Sequence, residues 1–141
     1  MRKSVVFILP SFAGGGAERV MIMLANGLDR THFDPSIIVL QEFGPLREIV
    51  ADDISIINLG RPKLRHALKP LFTAIRKSQP YAVVPTMGYL NLGVLAIWKM
   101  TRLDIKVIIR EANEVDATIK AIKFPLLGRI LYSYLYPQAS H

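Results

Sequence analysis

Gly14-Gly15-Gly16-Ala17-Glu18-Arg19 follows an apolar run at residues 4–9 and opens an apolar-periodic segment that continues to Leu28. That order reads strand, glycine loop, helix. Three successive glycines let the backbone turn sharply and approach a ligand without Cβ interference. The helix that follows presents unpaired N–H groups and a partial positive charge. A phosphate, a diphosphate or a sugar hydroxyl suits such a place.

Outward from this stretch, elements alternate. Thr31-His32-Phe33-Asp34-Pro35 is a polar connection into residues 36–40, an Ile/Val-rich run that predicts a buried parallel strand. Residues 45–51 predict a short helix and 54–59 a third strand. Residues 64–78 form a helical pattern with Leu64, Leu68, Leu71, Phe72 and Ile75 on one side. Pro70 fits a helix only in its first turn, so this helix is expected to begin near Ala67 or else to kink. Further strands are expected at 81–84 and 106–110, with helices at 89–100 and 122–136. Strands alternating with helices imply right-handed crossovers, hence an α/β fold with a doubly wound parallel sheet, Rossmann-like, with helices on both faces. Ligands gather beyond the carboxyl ends of such strands where the chain order reverses, so residues 10–18, 86–91 and 110–116 should line one cleft.

The 141 residues suit one domain. With 51% hydrophobic and 21% charged residues, the composition excludes a disordered chain. Cysteine is absent, which removes disulfides and thiolate metal sites and fits a reducing, cytoplasmic location. No metal site is expected. Met1-Arg2-Lys3-Ser4 precedes an apolar run in the manner of a short signal peptide, but Pro10 and the glycine loop interrupt it, so a first core strand explains it better. No window approaches the roughly 18 consecutive apolar residues needed to span a bilayer.

A dinucleotide fingerprint needs a third glycine where Arg19 stands, and a long side chain there opposes close helix–strand packing. Glu42 lies where a ribose-binding acid belongs, so an NAD(P)-dependent oxidoreductase remains an alternative. A phosphate-binding P-loop is excluded, because no Gly-Lys-Ser/Thr follows.

Gly14-Gly15-Gly16-Ala17-Glu18-Arg19-Val20, followed by Leu24-Ala25-Asn26-Gly27-Leu28, resembles the start of the group-1 (family 4) glycosyltransferases, nucleotide-sugar-dependent retaining enzymes of two-domain GT-B architecture. Ile109-Arg110-Glu111-Ala112-Asn113-Glu114 is similar to the segment after the fifth strand in members that build bacterial surface polysaccharides. The resemblance covers essentially this whole chain but only the amino-terminal half of the family's length. It implies that residues 1–141 are a single acceptor-side domain, with the carboxyl-terminal domain that supplies most nucleotide-sugar contacts absent from this sequence. On this basis the sequence is expected to be a fragment or a partial gene product, inactive alone. No cofactor is implied, the nucleotide sugar being a substrate.

By the same resemblance, Gly15 and Gly16 lie against the donor diphosphate or the acceptor, with Gly14, Glu18 and Arg19 beside them. Many relatives place a histidine after strand four, where this sequence has Met87-Gly88-Tyr89. His32, His66 and His141 fall in connections or at the end, so no catalytic residue is assigned. Tyr89 and Asn91 are candidates for acceptor hydroxyls, and Arg110, Glu111, Asn113 and Glu114 for orienting the acceptor or meeting the partner domain. Plainer readings stand beside these. The glycines suit a tight turn and Glu18 the helix dipole, while Arg19 suits a solvated face. Arg110 and Glu111 suit an ion pair, Asn91 a helix cap and Asn113 a turn.

The net charge of +7 concentrates in Arg61, Lys63, Arg65, Lys69, Arg76 and Lys77, and again in Lys99, Arg102, Lys106, Lys120, Lys123 and Arg129. No nucleic-acid motif or interleaved aromatic platform accompanies them, so nucleic acid is not an expected partner. Basic residues beside Leu64, Leu68, Phe72 and Ile75, or around Phe124, Leu127, Leu131 and Tyr134, suit a peripheral surface on anionic lipid at the inner face of the cell membrane. A solvated basic face is the plainer account. The resemblance implies a nucleotide-sugar donor and a glycan or lipid-linked acceptor as partners, and the basic residues suit an anionic membrane surface as a further one. A non-catalytic α/β binding or membrane-docking domain is the other alternative.

Overall fold

The computed structural model describes residues 1–110. Five strands, β1 (Lys3–Leu9), β2 (Phe33–Val39), β3 (Ser55–Asn58), β4 (Ala82–Pro85) and β5 (Lys106–Val107), form one parallel sheet in the order β3-β2-β1-β4-β5. Three α-helices alternate with them: α1 (Gly16–Gly27), α2 (Leu64–Ser78) and α3 (Gly88–Thr101). A 3₁₀ helix, Pro45–Ile49, joins β2 to β3.

β1 is the central strand, and its unbroken run Val5-Val6-Phe7-Ile8-Leu9 is buried throughout. A parallel strand covered on both faces needs such continuity rather than polar alternation. Its side chains divide by parity. Val5, Phe7 and Leu9 join Met21, Ile22 and Ala25 of α1, together with Ile37, Val39 and Leu46. Val6 and Ile8 join Ala67, Leu71 and Ile75 of α2 and Leu90, Val94 and Leu95 of α3. Each fully buried large side chain contributes roughly 1.5–3 kcal/mol relative to exposure, which outweighs any single propensity along these elements. α3 is buried over much of its surface because it packs against β4 and β5 and also against α2. A Cβ on Gly93 would lie 3.1 Å from the Leu64 side chain, so Gly93 permits that close crossing.

The doubly wound architecture agrees with the reading of the sequence, and the differences are local. β2 begins at Phe33, inside the stretch taken as a connection. Pro35 is tolerated because β3 first pairs at Ser36, leaving that edge of β2 open at Pro35. α2 begins at Leu64 and carries Pro70 in its interior. His66, expected in a connection, therefore lies in the first turn of α2. The pattern expected as one strand at 106–110 is the short β5 followed by an isolated bridge between Arg110 and Thr86. The helix expected at 122–136 lies outside the described residues.

Candidate functional site

β1 and β4 are neighbours, and between them the chain order reverses: β2 and β3 continue on one side of β1, and β4 and β5 on the other. Loops leaving the carboxyl ends of β1 and β4 must diverge, and a cleft opens between them. It has a volume of about 570 Å³ and is lined by Gly15, Gly16, Ala17, Glu18, Val20, Met87 and Arg110. The loops after strands one, four and five thus contribute to one cavity.

The first loop is anchored beneath its exposed tip. The Phe12 side chain is fully buried. Its N–H donates to the Phe43 carbonyl (2.8 Å), and its carbonyl accepts from the Leu46 N–H (3.0 Å). Gly44, at φ 114°, lies where a Cβ would overlap the Phe12 backbone, so only glycine allows the two loops to meet. The Ser11 Oγ accepts from the Ala13 N–H (3.2 Å).

The three glycines serve different purposes. Gly14 has φ 118°, a backbone region unfavourable to other residues. Gly15 caps α1 without any side-chain hydrogen bond, and a Cβ there would overlap the Glu18 carboxylate. Gly16 begins α1, and a Cβ there would meet nothing within 4 Å. Glu18 therefore folds back over the helix start.

Glu18 is 8% exposed and makes no hydrogen bond or ion pair with the described residues. Its negative charge reaches Tyr89: burial, and then Glu18, push the Tyr89 phenol above its ordinary pKa. Arg19 is exposed on α1, its N–H closing the first turn on the Gly15 carbonyl (3.1 Å), and it does not line the cleft.

Across the cleft, Met87 caps α3 at φ 74° and ψ 132°, strained for any residue with a side chain. Asn91 is fully buried inside α3, not at its cap, and its Nδ2 donates to the Arg110 carbonyl (3.3 Å). It positions the chain that carries Arg110. The Arg110 Nη1 is buried with no hydrogen-bond partner among the described residues, and so is the Thr86 Oγ1. Glu111, Asn113 and Glu114 lie outside the described residues. Met87 lies within the 86–91 stretch expected to line the cleft, whereas Val20 lines it from outside the expected stretches.

A larger cavity of about 660 Å³ lies at the β3 edge, lined by Ile57, Lys69, Pro70, Thr73, Ala74, Lys77 and Ser78. It has no carboxylate and stands away from the carboxyl ends of the strands, so size does not select the site. Among the described residues no group of His, Cys, Asp or Glu is placed to hold a metal ion. No described helix is long and apolar enough to cross a membrane.

The chain matches no protein-family model and no curated protein sequence. Its fold is similar to that of a Phytolacca americana UGT2, solved in complex with UDP-2-fluoro-glucose and pterostilbene. The TM-score is 0.60 and the identity 14%, over 82% of this chain and 32% of that one. The likeness shows a Rossmann-like α/β fold shared with a GT-B glycosyltransferase, and this chain spans about a third of that protein's length.

Proposed function

We propose that the chain is the acceptor-side part of a nucleotide-sugar glycosyltransferase of the group-1 (family 4) kind, acting in cell-envelope glycan synthesis with a second domain that binds most of the nucleotide. One observation carries this reading. At the strand reversal, an α-helix start, a buried carboxylate and a guanidinium converge on one cleft, on a fold shared with a protein solved with a UDP-sugar. The glycines bring backbone N–H groups to the ligand, and Arg110 offers charge to a leaving diphosphate. Retention of anomeric configuration follows if the donor diphosphate assists deprotonation of the acceptor, a route that asks for no nucleophile from these residues. A lipid-linked acceptor would bring the basic α2 surface to the inner face of the membrane.

The test is a ¹⁵N NMR titration of the 141-residue chain with millimolar UDP-glucose and, separately, NAD⁺. The proposal expects UDP-glucose to move the amides of residues 14–19, 86–89 and 110. A response to NAD⁺ alone would favour the oxidoreductase. No response to either overturns the nucleotide-sugar reading. In the structure, Glu42, the acid that a ribose site needs, holds the Arg47 Nε (3.1 Å).

A further inference from the structure

The carboxylate of Glu18 lies over the very helix start that a phosphate would otherwise use. An α-helix N-terminus carries about half a positive charge, and a full negative charge against Gly15 more than offsets it. A phosphate placed there would meet a buried like charge. On the far wall, the Arg110 Nη1 has no partner among the described residues, and no ion pair joins Arg110 to Glu18. Two opposite charges thus line one cavity without neutralising each other.

We propose that Glu18 and Arg110 divide the cleft: Glu18 receives hydrogen bonds from sugar hydroxyls, and Arg110 receives the phosphate. The second glycine and the glutamate then work as a unit, Gly15 leaving the space that Glu18 fills. A carboxylate with 8% exposure and no donor among the described residues is a strong acceptor for hydroxyl groups, because a ligand's hydroxyls can restore the hydrogen bonds it lost on burial. A guanidinium is the matching group for phosphate oxygens. The inference rests on the nucleotide-sugar reading and keeps the diphosphate at Arg110 and off the glycine loop.

The test uses the full 141-residue chain and three of its variants, titrated with inorganic pyrophosphate, UDP, UDP-glucose and methyl α-glucopyranoside. Glu18→Gln keeps the shape and removes the charge. Gly15→Ala keeps the charge but displaces the carboxylate, which sits at the end of a flexible side chain. With like-charge repulsion removed, Glu18→Gln is expected to tighten pyrophosphate binding by roughly tenfold and to move the shifted amides onto Gly16 and Ala17. Both changes should erase the preference for UDP-glucose over UDP if the hydroxyls belong to the donor, or weaken the glucoside if they belong to the acceptor. Arg110→Gln should weaken every phosphate probe. Unchanged pyrophosphate affinity in Glu18→Gln overturns the division, and so does pyrophosphate binding that weakens or is absent from both proteins. Silence of the UDP probes alone, with the pyrophosphate difference intact, sinks the nucleotide-sugar reading and leaves the division standing.

Discussion

At the scale of single residues, adjacent glycines carry separable duties. Gly16→Leu adds a side chain where nothing lies within 4 Å, at a helix position with ordinary backbone angles. The melting temperature should stay within a few degrees, while UDP-glucose affinity falls at least about tenfold, because the added volume occupies the cleft. Unchanged affinity in titration calorimetry would remove the loop from the site. Asp29 gives a pH signature. Hydrogen bonds from the Thr31 backbone, the Thr31 hydroxyl and His32 lower its pKa from 3.8 to about 2. Because the folded value is depressed, this turn contributes stability above pH 3.8 and loses it as pH falls through about 2. The Asp29 carboxyl carbon should show an NMR midpoint near 2. Thr31→Val should recover only part of the shift, since the backbone donor remains.

At the scale of elements, the two loops that meet at Phe12 fix the geometry of the cleft. Gly44→Ala combines an unfavourable φ with a Cβ that strikes backbone, and neither neighbour can yield cheaply. Urea unfolding should show a loss of about 3 kcal/mol. A loss below about 0.5 kcal/mol would mean that the loops are not locked together. Pro70, inside α2, lacks the N–H that would reach back along the helix. Pro70→Ala should raise stability by about 1–3 kcal/mol, read by the same method. Periodicity revealed the strands and helices because parallel-sheet burial demands continuous apolar runs, as in β1. It did not reveal where β2 begins, since Phe33 to Pro35 are held by pairing with β1 and not by their own propensity. Nor could it show Arg30 gripping Asp53 (2.6 Å) while capping the Ala25 carbonyl of α1 (3.1 Å), a contact between residues distant in sequence.

At the scale of the whole molecule, the position of the cleft followed from strand alternation, because any doubly wound sheet opens where its order reverses. What the residues do there was less readable. Glu18 read equally as a ligand contact and as a residue favouring the helix dipole, and its coupling to Gly15 required the fold-back of its side chain. α2 presents Arg65, Lys69, Arg76 and Lys77 with an exposed Leu68 and has no acidic residue within Leu64–Ser78. Vesicles containing anionic lipid should pull the chain down at low salt and release it near 0.5 M, where screening shortens the reach of charge to a few ångströms. Lys69→Glu with Lys77→Glu should abolish the effect. Sedimentation with neutral lipid alone would contradict an electrostatic origin.

The central place of β1 also bears on how the chain is made. One edge of β1 pairs with residues 33–39, but the other waits for residues 82–85. At about 5–20 residues per second of synthesis, that second edge stays uncovered on the ribosome for roughly 2–9 s after the first is paired. During this interval the nascent chain displays Val5 to Ile8 as an open, strongly apolar strand edge, the kind that recruits neighbouring polypeptides. Ribosomes halted before β4 should therefore carry chains bound by a holdase chaperone, and chains released at that point should aggregate.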